Sequence, residues 1–142
     1  MILRPAQPRD AADLLAWRND PLTREMSRSA GAVTPEQHQA WFAAVLEGAE
    51  VALLIGESQG VKVGMVRLDH GPETEVSINV NPACRGRGYG EALLTQALAR
   101  VERPVFAEIK PENLASQRLF ERVGFRFLEM RDGLRRYRLD RG

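Results

Sequence analysis

The spacing between apolar residues changes several times along the chain, and each change marks an element. Ile2 to Ala6 reads as a short strand, and Pro8 with Asp10 opens a helix carrying Leu14, Leu15 and Trp17. Arg18-Asn19-Asp20-Pro21 is turn chemistry, because a proline pushes the residue before it away from helical backbone angles. Ser27 to Val33 is polar and reads as a loop. Thr34-Pro35-Glu36-Gln37 then combines a capping box with proline at the first helical position. Behind it Trp41, Phe42, Val45 and Leu46 keep helical spacing until Gly48 ends the run.

The middle of the chain switches to strand character. Val51 to Ile55 and Val61 to Leu68 are apolar and β-branched, with a turn over Glu57 to Gly60 between them. Gly71-Pro72 turns the chain into Glu73 to Val80, where Val76, Ile78 and Val80 alternate with Ser77 and Asn79. That is a period of two, with one apolar face. Leu93, Leu94, Ala97, Leu98 and Val101 return to helical spacing as far as Pro104. A strand over Val105 to Lys110, a helix over Asn113 to Val123 and a C-capping Gly124 follow. Phe125 to Met130 and Arg135 to Leu139 form a closing hairpin around Asp132-Gly133.

Composition narrows the class. A chain of 142 residues reads as one domain, residues 1–142, able to bury roughly two-thirds of its unfolded surface. With 44% hydrophobic and 27% charged residues it resembles ordinary globular proteins. A net charge of +1 provides no field for nucleic acid or an anionic membrane, so neither is an expected partner. The single Cys84 excludes an internal disulfide and reads as a small packing residue in a reducing compartment. No apolar run approaches the roughly 20 residues of a membrane span, and the N-terminus lacks a signal-peptide core. The expectation is a cytoplasmic monomer or homodimer. His38 and His70 are scattered, so no metal site is expected.

Between the alternating strand and the next helix lies Arg85-Gly86-Arg87-Gly88-Tyr89-Gly90. A glycine-rich strand-to-helix turn frees successive backbone N–H groups, and with the positive end of the helix they make an anion cradle. Phosphate suits it, with Arg85 and Arg87 available for charge-assisted bonds. A P-loop would need Lys and Ser or Thr after the glycines, and neither is present. A dinucleotide fingerprint fails as well, since Glu91 stands where its last glycine would fall. What remains is R-x-x-G-x-G at Arg85, Gly88 and Gly90.

Ile78 to Gly90 resembles the acetyl-CoA-binding motif of the GNAT acyltransferase superfamily. Ala107 to Phe125, "AEIKPENLASQRLFERVGF", resembles that superfamily's second motif, and the element order fits over all 142 residues. The resemblance implies a single-domain α/β fold. Its central sheet is mixed but mostly antiparallel, with helices on both faces and a V-shaped cofactor cleft. It implies acetyl-CoA as cosubstrate, its pantetheine arm adding to the strand at Ile78, Asn79 and Val80. It places the pyrophosphate on the amides of Arg85, Gly86, Arg87, Gly88, Tyr89 and Gly90, and Asn113 near the thiol.

The implied reaction is transfer of an acetyl group to a primary amine. Glu108 interrupts an apolar strand and stands where ribosomal-protein alanine acetyltransferases carry their catalytic glutamate, so it is the candidate base. It could equally be a structural carboxylate paired with an arginine such as Arg67, and Glu73 and Glu75 are rival bases. Phe120 replaces the tyrosine that many relatives use as acid. Ser116 matches a serine variant of that role, unless it only bonds its own helix backbone. Tyr89 and Tyr137 are the remaining phenols. The segments around "AWRNDPLTREMS" and "TPEQHQAWF" resemble two branches, one acetylating nucleotide-linked amino sugars and one ribosomal-protein N-termini. On that basis Trp17, Arg18, Asn19 and Trp41 are candidates for the acceptor pocket, core packing being the other reading of both tryptophans. The alternative to an enzyme is a catalytically idle acyl-CoA-binding module.

Overall fold

The computed structural model describes residues 1–26 and 31–140. In chain order it contains β1 (Ile2–Pro5), α1 (Ala11–Arg18), α2 (Pro21–Met26), α3 (Pro35–Glu47), β2 (Val51–Ser58), β3 (Val61–His70), β4 (Thr74–Val80), α4 (Tyr89–Leu98), β5 (Val105–Ile109), α5 (Leu114–Val123), β6 (Arg126–Arg131) and β7 (Leu134–Leu139). The hydrophobic pattern anticipates all of these except α2. Asp20-Pro21 does stop α1, but the same pair starts another helix. The Asp20 carboxylate accepts from the Thr23 amide at 3.1 Å, and Pro21 loses no bond at a first helical position. Helix α4 ends at Leu98, earlier than its apolar spacing suggests. Ser27 to Ala30 of the expected polar loop lie outside the described residues.

Seven strands form one sheet in the order β1-β2-β3-β4-β5-β7-β6. Only β4 and β5 are parallel neighbours. The two tightest of the three hairpin turns use positive φ at two residues, Gln59-Gly60 and Asp132-Gly133, the twist that matches antiparallel strands. The alternation of β4 sends Val76, Ile78 and Val80 to the face covered by α4 and α5, together with Leu93, Leu94 and Tyr137. The other face packs α1 and α3 on β2 and β3 through Leu14, Trp17, Phe42, Leu53 and Ile55. Helix α1 also reaches β4, and the site lies beside it, where β4 meets β5.

One charged cluster braces the start of the chain. Asp10 is fully buried and accepts from Arg4 at 2.8 and 2.9 Å, from Lys62 at 2.8 Å and from the Gln7 amide at 2.8 Å. The Arg4 bonds hold its carboxyl well below the usual carboxylate range, against the opposing effect of burial, and Lys62 and Gln7 add to them. Removing a buried partner strands the cations, so Asp10→Asn should cost about 3 kcal/mol of stability. A carboxyl whose folded pKa lies below its unfolded value, roughly 3.9, contributes stability that is full above that pH and is lost as pH falls through the lower, folded pKa. The difference in melting temperature between the wild type and Asp10→Asn should therefore hold from about pH 7 to about pH 5 and begin to narrow only below about pH 4.

Candidate active site

The glycine turn expected to hold an anion is built locally. After β4, the Asn81 side chain accepts from the Ala83 amide at 3.0 Å and donates to the Lys62 carbonyl at 2.9 Å, which fixes the exit of the strand. Cys84 is buried, as its reading as a packing residue requires. Residues 85 to 88 are exposed, and Gly86 and Gly88 adopt φ of 77° and 80°. Only glycine takes such angles freely. A Cβ built on either glycine would meet nothing within 4 Å, so conformation demands glycine here and the space above the loop is open. Helix α4 starts at Tyr89 with Gly88 as N-cap and no capping side chain, so its first N–H groups face that space. Arg85 is not turned only toward the loop. Its Nη2 donates to Asp20 Oδ2 and, at 3.0 Å, to Thr23 Oγ1, both belonging to the α2 segment.

The cleft itself comes from strand divergence. β4 and β5 pair at Thr74–Val105 and Glu75–Phe106, and no pairing follows beyond those positions. The remainder of β4, from Val76 to Val80, therefore presents an open backbone edge. A cavity of about 670 Å³ occupies the gap. Its lining includes Ile78 and Phe120 from one side of the sheet and Ser77 and Glu108 from the other, possible only because the strands have parted. Asn113 and Ser116 line it too. Asn113 caps α5, its Oδ1 accepting from the Ser116 amide at 3.2 Å, and Ser116 is half-buried in the first turn. Tyr137 is fully buried in the core, and its hydroxyl accepts from Arg135 Nε at 2.9 Å. It does not line the cleft.

The carboxylates sort themselves by strand register. Glu108 is half-buried, lines the cavity and stands opposite Arg136 in the β5–β7 pairing. Arg67 lines the same cavity as Glu108. The Arg67 guanidinium grips Asp69 at 2.9–3.2 Å and lies 5.5 Å from the centre of the Trp41 ring. Glu73 is tied to Arg136 at 2.8 Å, which raises the arginine's pKa, and it does not line the main cavity. Glu75 does, and like Glu108 it also borders an adjoining cavity of about 250 Å³. Among the rivals, Glu75 alone shares the cleft with Glu108.

Of the four acceptor-pocket candidates, Arg18 and Trp41 line the cleft, and Trp17 and Asn19 do not. Trp17 is packed in the smaller core, 6% exposed, on the inward side of α1. Asn19 is a clamp: its side chain donates to the Val33 carbonyl at 2.8 Å and accepts from the Val33 amide at 2.9 Å. Thr23 and Met26 of α2, and Met65 and Asp69 of β3, join the lining without having been singled out by motif. Asp69 had a signal, a carboxylate two residues after Arg67 on one face of an alternating strand. His38 is buried, stacked on Phe42, with Nε2 2.9 Å from the Ala11 carbonyl. No group of three or more metal-binding side chains occurs among the described residues.

A family model for the acetyltransferase (GNAT) domain matches residues 1–126. The chain belongs to the GNAT acetyltransferase family. YwnH of Bacillus subtilis strain 168, named provisionally as a phosphinothricin acetyltransferase, is 32% identical over 136 residues, 88% of this chain and 83% of that one. A crystal structure assigned, also provisionally, to a phosphinothricin N-acetyltransferase superposes with a TM-score of 0.81 at 27% identity, covering 98% of this chain and 97% of the other. YncA of Salmonella typhimurium, solved with its cofactor acetyl-CoA, superposes with a TM-score of 0.78 at 24% identity over 99% and 93% of the chains. Its likeness bears on the fold alone.

This GNAT protein is an acetyltransferase. Its open glycine turn and the unpaired edge of β4 are the two features that the resemblance in the sequence implied for an acetyl-CoA cleft. The expected fold is the observed one: a mixed, mostly antiparallel sheet, helices on both faces and a split between β4 and β5. Among the described residues no helix is long and apolar enough to cross a membrane.

Proposed function

We propose that this GNAT enzyme acetylates the primary amine of a small, amino-acid-like acceptor, with Glu108 as the general base. The observation that carries this reading is the position of Glu108 on the floor of the cleft, where β5 leaves β4. An alkylammonium with a pKa near 10 lies about 3 units from its reactive form at pH 7, a difference of about 4 kcal/mol. A half-buried carboxylate facing the cleft takes that proton directly or through one water. Glu75, bordering the same cavity, keeps the amine end of the pocket anionic.

Acetyl-CoA supplies the activated acyl group and a thiolate as leaving group. The backbone of Ile78, Asn79 and Val80 aligns the pantetheine arm, and the Val80 N–H serves the developing oxyanion. The cradle from Arg85 to Gly90 holds the pyrophosphate. Ser116 and the positive end of α5, which Asn113 caps, stabilise the thiolate, which leaves no need for a phenol at Phe120.

Arg18 and Arg67 line the same cavity as the two glutamates, so one pocket offers carboxylates for an amine and guanidiniums for an acid. Phosphinothricin, the compound in the names of two relatives, carries both groups. Amino sugars and protein N-termini are the competing acceptors suggested by the segments around Trp17 and Trp41. Thiol release from acetyl-CoA, measured across amino acids, phosphinothricin, nucleotide-linked amino sugars, peptides and polyamines, tests the proposal. Turnover with amino-acid-like amines supports it. Turnover confined to the sugars or peptides overturns the acceptor assignment, and no turnover with any amine would favour the idle acyl-CoA-binding alternative.

A further inference from the structure

Helix α2 lies across the mouth of the split sheet and is tied to both of its legs. On the β4 side, Arg85 of the glycine loop reaches Asp20 Oδ2 and Thr23 Oγ1. On the β5 side, Lys110 Nζ donates to the Glu25 carbonyl at 2.9 Å. Between these anchors Thr23 and Met26 line the acceptor cavity. The helix has only six residues and buries none of them, so it has no core of its own to hold it in place.

From this bracing we propose that Asp20 is a positioning residue that couples the acetyl-CoA loop to the acceptor wall. The inference rests on the placement of the pyrophosphate on that loop. Asp20 has two tasks on one oxygen: Oδ2 caps α2 through the Thr23 amide and receives Arg85. Among the described residues both side-chain bonds of Arg85 leave from Nη2, and a guanidinium carries five N–H donors in a fixed fork. With one prong held by Asp20, the plane of the fork is set, and its other donors are available to a phosphate at the loop. Arg85 then joins the diphosphate to α2 as a shared cation. Filling the loop steadies α2 and with it Thr23 and Met26, so the donor site prepares the acceptor wall. Linkage makes the effect reciprocal: an acceptor held against α2 tightens the donor by the same factor.

Asp20→Asn separates the two tasks, because asparagine caps a helix as well as aspartate does but carries no charge. CoA is the probe, and hydrogen exchange of the full chain is read at residues 21–26 and at residues 85–90. In the wild type CoA should slow exchange in both segments. In Asp20→Asn, at saturating CoA, the loop should still be protected and α2 should not respond. CoA affinity should fall about two- to five-fold, the range for a half-exposed ion pair. Arg85→Gln should lose the α2 response as well, and the double variant should be no weaker than the worse single one. Protection of α2 by CoA that survives in Asp20→Asn, or its absence in a wild type whose loop is protected, overturns the coupling. A wild type that does not bind CoA overturns the donor-site assignment instead, and the coupling with it.

Discussion

Gly88→Val abolishes acetyl-CoA binding and leaves the rest of the fold intact. The two halves of that expectation have separate physical sources. Gly88 sits at φ 80°, and a β-branched residue held there carries about 1–3 kcal/mol of backbone strain. A Cβ at this position touches nothing within 4 Å, so the core feels no clash and melting should shift by only a few degrees. The strain is relieved by rotating the exposed loop, and rotation turns its N–H groups away from the space they share. Charge-assisted bonds contribute roughly 1.5–3 kcal/mol each, so losing two removes about 10²-fold or more in affinity. The added isopropyl group also fills space the pyrophosphate needs. Titration calorimetry with acetyl-CoA, run beside a melting curve, checks both halves. Undiminished affinity in a folded variant would remove the cofactor from this loop.

Glu108→Gln should lower kcat/KM about 10²–10⁴-fold at neutral pH, the contribution of a positioned general base. Glutamine keeps the shape and removes proton acceptance. The deficit should shrink as pH rises, because free amine then forms without assistance. Acetyl-CoA affinity should not change, since Glu108 lies on the acceptor side of the split. The competing role has a candidate partner in Arg136, opposite Glu108 in the β5–β7 register and largely buried. Were Glu108 only that partner, Glu108→Gln would melt earlier while activity per folded molecule stayed nearly constant. A pH–rate profile separates the two. If the acidic limb persists with its apparent pKa unmoved, the base lies elsewhere, and Glu75 is the next residue to change.

Parts of this site are legible along the chain because they are local. The glycines of the cradle require only their own backbone angles, and the caps at Thr34 and Asn113 involve partners three residues away. Period-two alternation in β4 settles which side chains enter the core. Local signals also have a limit. Asp20-Pro21 reads equally as the end of one helix or the start of another, and both readings hold, which is why α2 is missed.

The sequence by itself thus determined the order of the elements other than α2, the glycine turn after β4 and the membership of the GNAT family. Tertiary structure decided which side chains meet. Trp17 and Arg18 are adjacent in α1, yet one packs into the core and the other reaches the cleft, because a helix turns about 100° per residue and only packing against the sheet says which side is inside. Arg136 stands opposite Glu108 because β7 returns to pair with β5 and the closing hairpin sets the register. Arg85 reaches Asp20 across 65 residues of sequence. No spacing rule reports such a contact, since it exists only once α2 has folded back over the gap where β4 and β5 separate.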